Sequence, residues 1–365
     1  MAFDSNWTKR FKITVNSSEV DANLTDYPVY VDLSQIGASH GFWSAVSSTG
    51  ADIRVTTSDE ETEVPVEVVA IDTAGEVGHI FFKATGTLSS SSDTEFWCYY
   101  GNAGASLPAR DATYGSENVW TSYHWVHHMQ GAAYTDIDDS TSNNIDVSAE
   151  IGGPTYEEAG YLSGGDSVLF LPADSTDGLE IAPYTNPSLA TNKFSFGQWV
   201  KWDTTLGNKT TFASKWNGAD GATAHALGTA ARFQIRINNI LKAPYKGGVF
   251  TSTTVWYHFC GYYDGTNVRM IVDGVQQATT PATGNVDNNG TLKSYIGSDH
   301  GNSWRMRGHI GHSWISTNGN TCSNEYITTK HNNQSNPATF LTIGSQEDVG
   351  GGGGPTFVAK TIMVI

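Results

Sequence analysis

Positive charge is scarce in this chain. Twenty Lys and Arg stand against 37 Asp and Glu, a formal net charge of −17 over 365 residues. A surface of that sign repels phosphate backbones and anionic headgroups, which argues against nucleic acid as a partner. Long apolar runs are missing as well. No stretch approaches the roughly 20 apolar residues that cross a bilayer, so no membrane insertion is expected. The start, Met1-Ala2-Phe3-Asp4-Ser5-Asn6-Trp7, has neither the basic nor the apolar part of a secretory leader. Cysteine is limited to Cys98, Cys260 and Cys322, an odd number with no disulfide framework. Two of these lie in apolar runs, where a thiol packs as a small hydrophobe. Leu, Lys and Glu are thinly used, so little helix is expected.

What is present points to strands. Thr, Ser, Asn and aromatics abound, with 39 Gly and 11 Trp, the make-up of many short strands joined by glycine turns. Phe11, Ile13 and Val15 alternate with Arg10, Lys12 and Thr14, the period of a half-buried strand. Tyr27-Pro28-Val29-Tyr30-Val31-Asp32-Leu33 follows a turn, and Pro28 suits an edge or a strand start. Further strands are read at residues 53–56, 64–69, 79–83 and 95–100, the last stopped by Gly101-Asn102. The first 115 residues thus read as one β-sandwich.

The order Trp7, Arg10-Phe11-Lys12-Ile13, Tyr27-Pro28-Val29, Ala51-Asp52-Ile53-Arg54-Val55 and Tyr99-Tyr100-Gly101-Asn102-Ala103 is distinctive. It resembles, over residues 5–105, a β-rich family of unknown function that often precedes laminin-G-like domains in surface and phage proteins. A second succession follows: Gly164-Gly165-Asp166-Ser167-Val168-Leu169-Phe170, Phe194-Ser195-Phe196-Gly197-Gln198-Trp199-Val200 and Trp256-Tyr257-His258-Phe259. Asp264-Gly265 and Asp273-Gly274 then mark hairpin turns on either side of an alternating strand. Tyr295-Ile296-Gly297-Ser298 and Met306-Arg307-Gly308-His309-Ile310 close the series. Over roughly residues 117–345 it resembles the laminin-G-like branch of the concanavalin A-like lectin and glucanase superfamily. One departure stands out. Where that family usually continues Ile-Asp-Glu, this chain reads Ile310-Gly311-His312.

The expected fold is all-β. It comprises an N-terminal β-sandwich (1–115), a concanavalin-like, laminin-G-type jelly-roll sandwich (116–345) and a C-terminal strand tail (346–365). The tail holds Gly350 to Gly354, a flexible tether, and a hydrophobic strand candidate over 355–365. Such a strand should pair with a sheet edge of its own chain or of a neighbour.

The superfamily includes glycoside hydrolases that carry carboxylates at alternate positions of one strand, all on one face. Residues 117–345 hold no such strand. Glu157 and Glu158 are adjacent and point apart if extended, and Glu19-Val20-Asp21 runs into a turn. No enzyme is expected. His124, His127, His128, His309 and His312 read as core or turn residues, because neighbours on opposite strand faces chelate poorly. The laminin-G resemblance implies a calcium ion at the sandwich rim. Its candidate ligands are Asp174 and Asp177 on one loop and Asp299 and Asn302 on another, although Asp also caps turns without a metal. Trp202, Trp216, Tyr245 and Trp304 fall in loop-like stretches, where they either stack on sugars or pack against the protein. The function read from this is a virion structural or attachment protein, such as a phage tail fibre, spike or capsid decoration. Its expected partners are copies of itself or other virion proteins, through residues 355–365, and surface glycans. A secreted or cell-surface carbohydrate-binding adhesin is the alternative, and a glycoside hydrolase comes third.

Overall fold

The computed structural model of the chain describes residues 3–170, 177–181, 192–202, 210–216, 221–287, 293–299 and 305–349, with backbone alone over 210–216. The architecture is almost wholly β, in two sandwiches.

The first sandwich uses β1 (Lys9–Val15), β2 (Leu24–Asp32), β3 (Arg54–Thr57), β4 (Glu63–Val64), β5 (Val66–Asp72), β6 (Val77–Leu88) and β7 (Thr94–Tyr100). In β1 the alternation holds as expected: Phe11, Ile13 and Val15 are buried and the residues between them are half-exposed. Pro28 sits in β2, an edge strand of the three-stranded sheet β2-β6-β5, where its missing N–H leaves no ladder bond unmade.

The second sandwich starts with β8 (Trp125–His127), β9 (Val147–Ile151), β10 (Thr155–Ala159), β11 (Asp166–Phe170) and β12 (Gly178–Ile181). It continues with β13 (Phe194–Trp202), β14 (Thr210–Trp216), β15 (Gly221–Leu227), β16 (Ala230–Ile237), β17 (Ile240–Lys242) and β18 (Tyr245–Lys246). It ends with β19 (Tyr257–Tyr263), β20 (Asn267–Val272), β21 (Val275–Pro281), β22 (Ser294–Ile296) and β23 (Gly308–Ser316). One sheet, here the inner sheet, runs β10-β11-β23-β13-β19-β20-β21, with β8 on β23. The outer sheet runs β17-β16-β15-β14-β22-β12-β9, with β18 on β16. Phe196, Trp202, Phe259 and Met270 of the inner sheet meet Ala224, Phe233, Ile235 and Ile296 of the outer sheet in one core. One glycine makes that packing possible, and a second does the same on the inner sheet's other face. A Cβ on Gly261 would lie 2.5 Å from the Phe233 ring, and one on Gly197 2.4 Å from the Trp314 ring. Any side chain there would displace an aromatic ring.

The inner sheet's second face is also covered. After β23 the chain forms a helix, Asn324–Ser335, capped by Ser323 Oγ accepting from the Tyr326 N–H. The helix lies between the inner sheet and the sheet β2-β6-β5 of the first sandwich. Trp199 Nε1 donates to Gln334 Oε1 at 2.8 Å on one side. On the other, Asn333 makes two 2.8 Å bonds to the Tyr30 backbone and the Tyr27 and Tyr326 rings meet at 5.4 Å. Cys260, Tyr262, Ile271 and Trp314 thereby join the hydrophobic core of the first sandwich. No helix among the described residues is long and apolar enough to cross a membrane.

The chain then returns to where it began. β24 (Leu341–Ile343) and β25 (Glu347–Asp348) both pair antiparallel with β1, so the first sheet runs β24-β1-β7-β3-β4. The expected division put residues 116–345 in the jelly roll. Residues 341–348 instead hydrogen-bond into the first sandwich, because β1 otherwise has an open edge. Phe340 is fully buried beside it and its carbonyl accepts from the Asn16 N–H at 2.9 Å. The strand candidate over 355–365 lies outside the described residues.

Phe340→Ala is expected to cost about 3–5 kcal/mol by opening a cavity at this closure. Hydrogen exchange by mass spectrometry should show β1 and β7 losing protection while β13 and β19 keep theirs. Unchanged protection in β1 would mean that the returning segment does not hold the first sheet.

Candidate functional site

Two regions concentrate chemistry: the seam between the sandwiches, and the solvent side of the outer sheet.

At the seam, Glu67 of β5 faces the second sandwich. Its carboxylate accepts from His128 Nε2 at 3.1 Å, Ser140 Oγ at 2.7 Å and Trp120 Nε1 at 2.5 Å. The other ring nitrogen of His128 lies 3.1 Å from Nδ1 of His312, so a carboxylate–imidazole–imidazole chain crosses the interface. His312 stacks on Phe81, and His79 Nδ1 bonds the Ser163 carbonyl at 2.7 Å. Lys330 is buried nearby in a cage of Trp120, Tyr123 and Trp314, with its ammonium 5.2–5.6 Å from the three rings and 3.3 Å from Tyr123 Oη. Burial pulls that amine down to about 7.

All five histidines named from the sequence are buried. His127 and His128 do point to opposite faces: His127 bonds the Ile145 carbonyl and stacks on Trp125, while His128 turns to Glu67. The partnership of His128 and His312 had no local signal, since they are 184 residues apart. Among the described residues no group of three or more His, Cys, Asp and Glu is placed to hold a metal ion.

The outer sheet is built from two kinds of transverse row. Phe233, Ala224, Ala213, Ile296 and Leu179 sit side by side in register, and Phe233, Ala224, Ile296 and Leu179 supply apolar side chains to the core. The next row in register is Gln234, Thr223, Ser214, Tyr295 and Glu180, and strand alternation turns Gln234, Thr223, Tyr295 and Glu180 to the opposite face. Gln234, Thr223 and Tyr295 are under 9% exposed, so these polar side chains are covered. Glu180 holds Lys293 at 2.5 Å. At the end of the sheet Tyr245 pairs with Arg232 and is 54% exposed.

Of the aromatics named as ligand contacts, only Tyr245 is shown on the surface. Trp202 requires correction. It ends β13 rather than lying in a loop, is 1% exposed, and packs on Phe250 at 4.4 Å and on Tyr257. Trp216 ends β14, with its side chain outside the described residues, and Trp304 lies outside them altogether. Of the calcium candidates, Asp174 and Asn302 also lie outside. Asp177 is buried and accepts from the Gly153 N–H at 3.1 Å. The register of β12 on β22, carried past Leu179 and Ile296, sets Asp177 against Ser298, next to Asp299.

Residues 174–318 match the family described as the concanavalin A-like lectin/glucanases superfamily. No curated protein matches the chain. Solved structures that resemble it include the binding domain of botulinum neurotoxin serotype D, at 12% identity and TM-score 0.46, over 58% of this chain and 51% of that one. Another is the binding domain of botulinum neurotoxin DC in complex with SialylT, at 11% identity and TM-score 0.44, over 58% and 51%. The chain thus spans about half the length of those structures.

The seam generates a pH dependence. Burial holds His79 and His331 at about 4 and pushes His258 and His312 well below the usual imidazole range. Unfolded histidines bind their proton near 6.5. Between pH 6.5 and about 4 the unfolded chain therefore holds more protons than the folded one, and stability falls as pH falls. His79 alone accounts for roughly 3 kcal/mol over that window. Burial raises the Glu67 carboxyl, but His128 and the bonds from Ser140 and Trp120 outweigh it and hold it below its usual range. Its contribution is present above 4.5 and disappears only at lower pH. His79→Gln should flatten the slope of urea-unfolding free energy between pH 6.5 and 4 by about one proton. An unchanged slope would place the titration elsewhere.

Proposed function

From the match of residues 174–318 to the concanavalin A-like lectin/glucanases superfamily, we propose that this chain is a non-catalytic attachment protein that binds carbohydrate. The observation that carries the reading is the exposed Tyr245 at the end of the outer sheet. A sugar presents an apolar C–H face to such a ring. The inner sheet offers no comparable surface, since the helix and the first sandwich cover it. Hydrolysis requires two carboxylates roughly 5–10 Å apart across the scissile bond. Strands β13, β19, β20, β21 and β23 contain neither Asp nor Glu, and Glu180 of the outer row is paired with Lys293.

A setting on a virion, as a fibre, spike or decoration protein that contacts its own copies through residues 355–365, is the finer form of this proposal. A secreted or cell-surface adhesin is its alternative. The long shared core of the two sandwiches supports an architectural role in either setting.

A rim calcium belongs to the same proposal. Asp177 and Asp299 supply carboxylate oxygens at one end of the β12–β22 pair, the donor type calcium prefers. Millimolar calcium is expected to raise the melting temperature relative to EDTA, and Asp177→Asn to cancel the difference. Identical melting in calcium and EDTA would remove the ion from the proposal.

Glycan-array binding of the full chain is the main test. Tyr245→Ala should weaken binding about tenfold while changing stability by under about 0.5 kcal/mol. Trp202→Ala should instead cost about 3–5 kcal/mol of stability as a core residue. Retention of no glycan, or release of sugar from a bound polysaccharide, would overturn the reading.

A further inference from the structure

Five of the 11 histidines gather where the two sandwiches meet: His79, His128, His258, His312 and His331. At the centre, Nδ1 of His128 and Nδ1 of His312 lie 3.1 Å apart. A bond between two imidazole nitrogens holds one proton, because one nitrogen donates and the other must accept. On its other side His128 donates from Nε2 to Glu67 at 3.1 Å. The pair can therefore carry one positive charge, balanced by Glu67, with its bond intact. A second charge would set two N–H groups head to head and break it.

Nothing around the pair takes up that second charge. The His312 ring lies 5.5 Å from Phe81 and 6.0 Å from Trp120. Its Nε2, like that of His79, has no hydrogen-bond partner among the described residues. Both residues line a chamber with His128, Gln130, Tyr161, Gly165 and Asp166 that leaves about 10 Å³, roughly one water. β5 turns Glu67 toward the pair, β6 His79, β19 His258 and the helix Lys330. Asp166 of β11 accepts from the Gly131 N–H at 3.3 Å. Among the described residues Glu67 is the one carboxylate that bonds either ring. Lys330 is charged below about 7 whether the seam is closed or open, so it repels a further proton without adding a pH dependence there.

The backbones are too close for water to help. A Cβ on Gly164 would lie 3.0 Å from Gly78 of the first sandwich, and His79 Nδ1 bonds the Ser163 carbonyl at 2.7 Å. The rings are hydrated only when β5 and β6 part from β8 and β23. Among the described residues this is the one bond between two imidazoles, so the acid-sensitive contact lies between the sandwiches and not inside either.

We propose that the seam is an acid-sensitive clasp: as pH falls below the ordinary imidazole range, the two sandwiches part while each keeps its own fold. Opening restores to each ring its usual proton affinity, near 6.5. An imidazole that is refused a proton when closed and granted one when open raises the opening equilibrium about thirtyfold between about pH 7.5 and 5. His79, held by burial at about 4, adds a second such proton. The closed seam is thus favoured above 6.5 and loses ground as pH falls.

Hydrogen exchange by mass spectrometry on the full chain, with rates referred to their intrinsic values at each pH, tests this. Between about pH 7.5 and 5, opening at residues 79–82, 125–128 and 309–314 should rise about a thousandfold, the product of two such protons. β7 and β16 should keep their protection. Equal loss in β7 and β16 would mean global unfolding and overturn the proposal, as would a seam indifferent to acid. In His312→Gln, His128 can be charged beside Glu67 in the closed seam, so the rise should shrink about thirtyfold. The readout is the change with pH, which a merely destabilising substitution would not move. His225→Gln, in the outer sheet, should leave the rise as it is. A rise that His312→Gln leaves intact would overturn the clasp. Imidazole nitrogen NMR of the unsubstituted protein gives the same answer without a variant: two charged rings in the closed pair would overturn it, and at most one is expected.

Discussion

A sheet has two faces, and the inner sheet of this protein has both of them buried. One face meets the outer sheet; the other meets the helix Asn324–Ser335 and the three-stranded sheet of the first sandwich. Everything else follows from that double burial. Residues that would normally meet water on the second face are Trp199, His258, Cys260, Tyr262, His312 and Trp314. They replace charge with rings and hydrogen-bonding nitrogens. Lys330 is the exception. Its aromatic cage and its lowered pKa show what a cation needs in order to remain there.

Local pattern made much of this legible. The six strand segments read in the first sandwich all fall on strands, because alternation and turn residues act over a few positions. Tyr245 was read in a loop-like stretch, and it is exposed but lies on the short edge strand β18. The burial of Trp202 was not legible. Its polar neighbours suggested a loop, and only Phe250 and Tyr257, some 50 residues on, show why it is buried. The helix was hidden by composition. Asn, Thr and His are weak helix formers, and much of its buried face is polar: Thr329, Lys330, Asn333 and Gln334. Those groups bond to Tyr30, Tyr123, Trp199 and Asp21, none of which is near in sequence, and Gln334 Nε2 is left without a partner among the described residues. The Glu67–His128–His312 chain was invisible on the same ground.

Charge operates on two scales here. Over the whole molecule the excess of carboxylates favours solubility and disfavours polyanions. Within a screening length, composition gives way to placement, and residues 221–263 carry four cations and no carboxylate. A net charge read from sequence is a statement about distance, and a contact surface is felt close up.

The pairing of β24 with β1 has a consequence in time. β1 is made before β7, which follows within a hundred residues, but the other flank of β1 waits for residues 341–343. Of the two sandwiches, the one synthesised earlier is therefore the one completed later. Until the jelly roll and its helix are in place, β1 shows an open edge of backbone N–H and C=O groups. Lys9, Arg10 and Lys12 on that strand place positive charge along it and discourage pairing with the wrong chain. When the last turn of chain arrives, two of them meet Asp348 and Glu347, and the guard becomes part of the latch.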